Sequence, residues 1–164
     1  MTMTEVKTTQ VYEVYIKASA QKVWDAITDP DWTQKYAYQG RQEFDLRPGG
    51  SFKAFSTDEM RSLGTPEVIV DGEVIEADPP RKLVQTWHAY FSEETIAEPP
   101  TRLTYEIAEA PSGFTRLTVI HELEGAPVHA QIVASQWAEN QGGGWSWILS
   151  DLKSFLETGE TLSS

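Results

Sequence analysis

The side chains able to exchange a proton near neutral pH are His88, His121 and His129, and they fall in three separate stretches of the chain. None stands four residues from another in an H-x-x-x-H arrangement, so no metal centre and no cofactor are expected. The chain has no cysteine, which removes thiolate nucleophiles, thiolate metal ligands and disulfides together. Pro48-Gly49-Gly50 and Gly142-Gly143-Gly144 lack the Lys-Ser/Thr ending or strand-borne spacing of a phosphate loop. There is no G-x-S-x-G elbow to expose a nucleophilic serine. No catalytic residue is assigned on this basis.

What remains are polar groups carried inward by strand parity, since alternate side chains of a strand face the same way. If Leu117, Val119 and Leu123 face a core, His121 faces it too; Leu103 and Ile107 bring Tyr105, and Leu83 and Trp87 bring Gln85. Of these only His121 could act as acid or base near pH 7, against the competing reading of a core histidine bonded to backbone. Trp24, Phe55, Trp87, Tyr105 and Trp145 are broad enough to line a cavity, with Val119 and Leu149 beside them, although Trp87, Tyr105 and Trp145 are more often packing residues than ligand contacts. Trp147 lies off the apolar stripe and is read as a cap or a surface residue. Glu73 and Glu76 point to opposite faces by parity, so they form no acid-base pair.

The elements that must position these groups follow from periodicity. Gln10 to Lys17 alternates as a first strand, and Ser19 caps a helix through Thr28 that Asp29-Pro30 stops. Residues 31–38 read as a helical turn or ordered loop. Glu43 to Leu46 and Ser51 to Ser56 form a hairpin across Arg47-Pro48-Gly49-Gly50. Glu67 to Ala77 gives one long strand bent at Asp71-Gly72, followed by Lys82 to Tyr90. Glu93 to Pro100 reads as a polar loop. Arg102 to Ile107 and Thr115 to Leu123 make the last hairpin, and Val128 to Asn140 a helix that the triple glycine breaks. In the final helix Trp145, Ile148, Leu149, Leu152, Phe155 and Leu156 form one apolar stripe, with Gly159 as its stop.

Six to seven strands joined by short turns make an α+β fold: a curved antiparallel sheet wrapped around a long C-terminal helix. Such a grip leaves an apolar space at its open end. One domain spans residues 10–159, with flexible termini at 1–9 and 160–164. No apolar run nears the roughly 20 residues needed to cross a bilayer, and a net charge of −12 opposes nucleic acid and anionic membrane. A cytoplasmic location is the expectation, and a homodimer is left open.

One series of motifs runs through the chain in order: Val23-Trp24 and Thr28-Asp29-Pro30, Leu46-Arg47-Pro48-Gly49-Gly50-Ser51-Phe52, Gly72-Glu73-Val74, Asp78-Pro79-Pro80-Arg81-Lys82-Leu83 to Thr86-Trp87, Thr115-Arg116-Leu117-Thr118, and Gly144-Trp145. Together they resemble the START-like (SRPBCC) superfamily, in its branch similar to the activator of heat-shock protein 90 ATPase. The resemblance covers about Val11 to Gly159. It implies a helix-grip (START/Bet v-like) fold with a hydrophobic cavity, but no single activity. The leading expectation is a non-catalytic binder of a small hydrophobic or aromatic molecule. An alternative is an enzyme resembling polyketide cyclases or hydratases, with His121 and Tyr105 as acid and base. A chaperone-ATPase cofactor ranks third, because the chain resembles only the C-terminal half of such activators.

Overall fold

The computed structural model describes residues 8–134 and 143–162. Seven strands form one antiparallel sheet: β1 (Thr9–Ile16), β2 (Gln42–Phe44), β3 (Ser51–Phe55), β4 (Val68–Asp78), β5 (Lys82–Ala89), β6 (Thr101–Glu109) and β7 (Thr115–Glu122), in spatial order β1-β7-β6-β5-β4-β3-β2. Each strand from β2 to β7 lies beside its sequence neighbours, and β1 closes the far edge against β7. The sheet is therefore a meander, as the short turns predict. The six helices among the described residues are α1 (Ala20–Thr28), α2 (Pro30–Thr33), α3 (Asp58–Ser62), α4 (Glu93–Ala97), α5 (Pro127–Ala134) and α6 (Gly144–Thr158).

Register sets which side chains share the inner face. Val119 opposes Tyr12 on β1 and Tyr105 on β6, while His121 opposes Gln10 and Leu103. On β5, Leu83 opposes Tyr105 and Gln85 opposes Leu103. The alternation of β1, β6 and β7 thus folds as read from sequence. The long strand β4 departs from expectation: its irregularity lies between Val74 and Glu76 rather than at Asp71-Gly72. Gly72 is required for another reason, because a Cβ there would sit 1.9 Å from the Thr86 carbonyl oxygen of β5.

Ser19 caps α1 by accepting from Lys22 N–H at 3.2 Å, and Gly159 ends α6 in the left-handed conformation (φ 81°). Glu93 to Pro100 is not the plain loop expected. Ser92 and Thr95 exchange side-chain and backbone hydrogen bonds in a capping box, which starts the short α4. The helix expected over Val128 to Asn140 is seen as α5 through Ala134, and its remainder lies outside the described residues, as do residues 1–7 and 163–164 of the expected termini.

Helix α6 packs along β1 and α5, and its Trp145 reaches Tyr105 on β6 and His121 on β7. The apolar interior has two parts. A large cluster joins α1, α5 and α6 to β1, β4, β5, β6 and β7, and a small one gathers Phe52, Ala54, Val70 and Ala89 on β3, β4 and β5.

Candidate functional site

A recess of about 650 Å³ opens between these two clusters. Phe52, Ala54 and Val70 form one wall, and Tyr105, Leu117, Trp145, Leu149 and Leu152 the other. Its border is drawn from Tyr36 to Gly40, Met60, Leu63, Thr65, Phe91 and Ile132. Among the described residues lining it there is no Asp, Glu, Lys, Arg or His. The volume falls within the roughly 300–1,000 Å³ of small-molecule sites.

Next to this wall lies a sealed polar knot. His121 is fully buried. Thr101 Oγ1 donates its only proton to the Trp87 carbonyl at 2.6 Å, so at 2.8 Å it must accept from His121 Nε2–H. The other nitrogen, Nδ1, accepts from the Trp145 indole N–H at 3.1 Å. These partners fix one neutral tautomer and leave neither ring nitrogen for a substrate. Burial pushes the imidazole down to about 3, and the neighbouring His129 adds to that. His121 is thus a satisfied core histidine and not an acid or base near neutral pH, which corrects the expectation that it could exchange protons there.

A second sealed group fastens α5. His129 Nε2 accepts from Ala89 N–H at 2.9 Å, so Nδ1 carries the proton and donates to Glu98 Oε1 at 2.7 Å. Glu98 also accepts from the backbone N–H of Val128 and His129 at the start of α5. Burial raises the Glu98 carboxyl, but the hydrogen bonds from His129 and the two amides outweigh it and hold the group below its ordinary value. The His–carboxylate pair resembles part of a catalytic triad, yet its far nitrogen is consumed by backbone. His88 stacks on His129 with centroids 5.3 Å apart, and its Nε2 bonds the Thr95 carbonyl at 2.9 Å. No group of three or more metal-ligating side chains exists among the described residues.

The recess border is held from below by Asp151 on α6, a fully buried carboxylate. Its Oδ2 accepts from Ala37 N–H and its Oδ1 from Leu162 N–H, each at 2.6 Å. Ala37 and Gln39 both adopt positive φ (54° and 61°), so this border segment holds two non-glycine residues in a sparsely populated conformation. Asp151 thereby ties the border and residue 162, within the expected flexible C-terminus, to one helix.

Of the residues singled out in the sequence, Phe55, Trp87, Tyr105, Trp145 and Leu149 line the recess. Trp24, Gln85, Val119 and His121 are buried on the same interior but do not line it. Gln85 Oε1 is the only buried side-chain nitrogen or oxygen without a hydrogen-bond partner among the described residues. Trp147 is half-buried, with its ring 5.2 Å from that of Tyr38. Sequence reasoning missed the border residues 36–40 and the stretch Met60 to Thr65. The acid at position 151, beside the apolar stripe of α6, was a usable signal for a buried tie.

Comparisons with known proteins agree with this geometry. No curated protein matches the chain at a significant level. Among solved structures, CalU16 from Micromonospora echinospora superposes with a TM-score of 0.62 at 20% identity, covering 92% of this chain and 77% of that one. A Bordetella parapertussis protein encoded by gene BPP1335 gives 0.65 at 23% identity, covering 95% and 78%. PFC0360w from Plasmodium falciparum, described as an HSP90 activator, gives 0.55 at 19% identity, covering 94% and 91%. At these identities the likeness shows the shared fold. The family described as Activator of Hsp90 ATPase homolog 1-like protein matches residues 17–157, so by sequence, and in keeping with its helix-grip fold, the chain belongs to that family.

Proposed function

We propose that this protein binds a small hydrophobic or aromatic molecule in the recess between its sheet and α6, without catalysing a reaction on it. The observation carrying this reading is a recess of about 650 Å³ whose described lining has no charged side chain. A filled interior would bury those apolar side chains against each other instead. Phe55, Trp87, Tyr105, Trp145 and Leu149 are its proposed contact residues; Trp24, Val119, Gln85 and His121 support them from behind. The hydratase-like alternative is disfavoured by the His121 geometry, because both ring nitrogens are already engaged.

The test is calorimetry or native mass spectrometry against neutral polycyclic aromatics and lipids, comparing wild type with Ala54→Phe. Ala54 lines the recess with its small side chain, so a phenyl ring there occupies part of the space. Saturable binding by wild type and its loss in the variant are expected. Equal binding by both would place the ligand elsewhere.

A second reading, partnership with an Hsp90-type chaperone, rests on the family alone. A chaperone ATPase assay with this protein added decides it, and unchanged turnover removes it.

A further inference from the structure

We infer that the recess selects a neutral, largely apolar molecule carrying a hydrogen-bond acceptor, such as a ketone or ether oxygen, which Tyr105 holds by donating its phenolic proton. This rests on the binding reading above and narrows its ligand class.

Four buried residues of the recess lining carry polar side-chain atoms: Thr33, Tyr36, Tyr105 and Trp145. Three of them are committed elsewhere. Thr33 Oγ1 donates to the Pro30 carbonyl at 3.2 Å and accepts from Gln42 N–H at 3.0 Å. Tyr36 donates to the Ala26 carbonyl at 2.8 Å, and Trp145 donates to His121. The Tyr105 hydroxyl alone has no hydrogen bond among the described residues, although the residue is only 8% exposed. It is also not sealed off, since Gln85 Oε1 is the only fully buried orphan among the described residues. Tyr105 thus combines a place in the recess lining with a hydroxyl that keeps some exposure.

An unpaired donor in an apolar wall is costly unless something accepts from it. Its position is fixed by the sheet, with Leu83 and Val119 opposite in register and the Trp145 ring edge-on at 6.0 Å. Burial raises the phenol's pKa, and the nearby Tyr36 raises it further, so the group remains a donor across the whole physiological range. The Trp87 indole N–H, on the same lining, is likewise without a hydrogen bond among the described residues. Two free donors favour an acceptor on the ligand.

The same lining rejects charge. A carboxylate entering it would leave water for a wall whose described residues include no cation, against the field of a chain with net charge −12. Fatty acids and other apolar anions are thereby disfavoured relative to uncharged molecules of the same shape.

The test uses three fluorescent probes built on one ring: a dimethylaminonaphthalene bearing a propionyl group, the parent dimethylaminonaphthalene, and the same ring bearing a carboxylate. For wild type the ketone is expected to bind about 5- to 10-fold more tightly than the parent, as one added hydrogen bond implies. The carboxylate is expected to bind at least about 10-fold more weakly than the ketone. Tyr105→Phe should bring the ketone down to the parent's affinity and leave the parent unchanged. Equal binding of ketone and carboxylate, or an unaltered ketone-to-parent ratio in Tyr105→Phe, overturns the inference. The ketone-carboxylate comparison needs no variant and so decides even if Tyr105→Phe folds poorly. If all three probes bind alike, the binding reading stands and this one falls. If none binds, both fall.

Discussion

The inner face of the sheet treats polar groups in two opposite ways. Around His121 both ring nitrogens have a partner: Thr101 on one and Trp145 on the other, with the Trp87 carbonyl closing the chain. Around Tyr105, one rung along β6 and β7, the wall is apolar and the hydroxyl is unpaired. The difference teaches that titratable side chains are a poor guide to the working surface here. The histidine is used for cohesion, because a satisfied buried network rigidifies the core. The tyrosine is left with capacity to spare.

The largest effect that could break this contrast comes from the sealed end. His121→Ala would remove a large buried side chain and strand Thr101 and the Trp145 indole. A loss of about 3–4 kcal/mol in urea denaturation is expected. A loss below about 1 kcal/mol would mean that the network carries little.

Asp151→Ala should cost less, about 1–2 kcal/mol, by leaving Ala37 N–H and Leu162 N–H without their shared acceptor. Hydrogen exchange at residues 36–40 should accelerate while the strands stay protected. Uniform acceleration across the sheet would show that Asp151 supports the whole fold rather than the recess border.

Acid provides a graded test of the sealed end. The folded His121 pKa lies below that of an unfolded histidine. Its contribution to stability is therefore complete at pH well above 6.5, where both states are neutral, and declines as pH falls from there towards about 3, because only the unfolded chain takes up the proton. Glu98, held below its ordinary value, acts in the same direction at lower pH, losing its contribution as pH drops through the carboxylate range. His121→Asn should flatten the upper part of this pH profile. An unchanged slope between pH 6.5 and 5 would assign the acid sensitivity to other groups.

The smallest effect belongs to the surface. Arg81→Ala removes an exposed pair with Asp78 and should leave the urea midpoint where wild type has it. It serves as the reference against which the buried variants are compared.

Much of this arrangement was readable from residue order, and the parts that were not have a common cause. Alternation in Tyr12, Val14 and Ile16, and again in Leu117, Val119 and His121, placed the right side chains on the inner face, because a strand's period of two is local. The stripe from Trp145 to Leu156 likewise marked α6. Parity, however, specifies a face and not a position along it. Tyr105 reaches the recess while its cross-strand neighbour Val119 does not, since that depends on where α6 lies over the sheet. The border residues Tyr36 to Gly40 join the site only through the Asp151 tie, a contact spanning more than a hundred residues. Short helix α3 carries mostly polar residues and no apolar stripe, so periodicity leaves it unmarked; the structure shows Thr57 starting it by accepting from Met60 N–H.

The most direct measurement is a crystal structure of the protein with the propionyl-substituted dimethylaminonaphthalene. The expected result is the ring between Phe52 and Leu149, with its ketone oxygen at hydrogen-bond distance, about 2.7–2.8 Å, from Tyr105 Oη. A probe found on the outer face of the sheet, or seated in the recess with its oxygen turned away from Tyr105, would contradict the account.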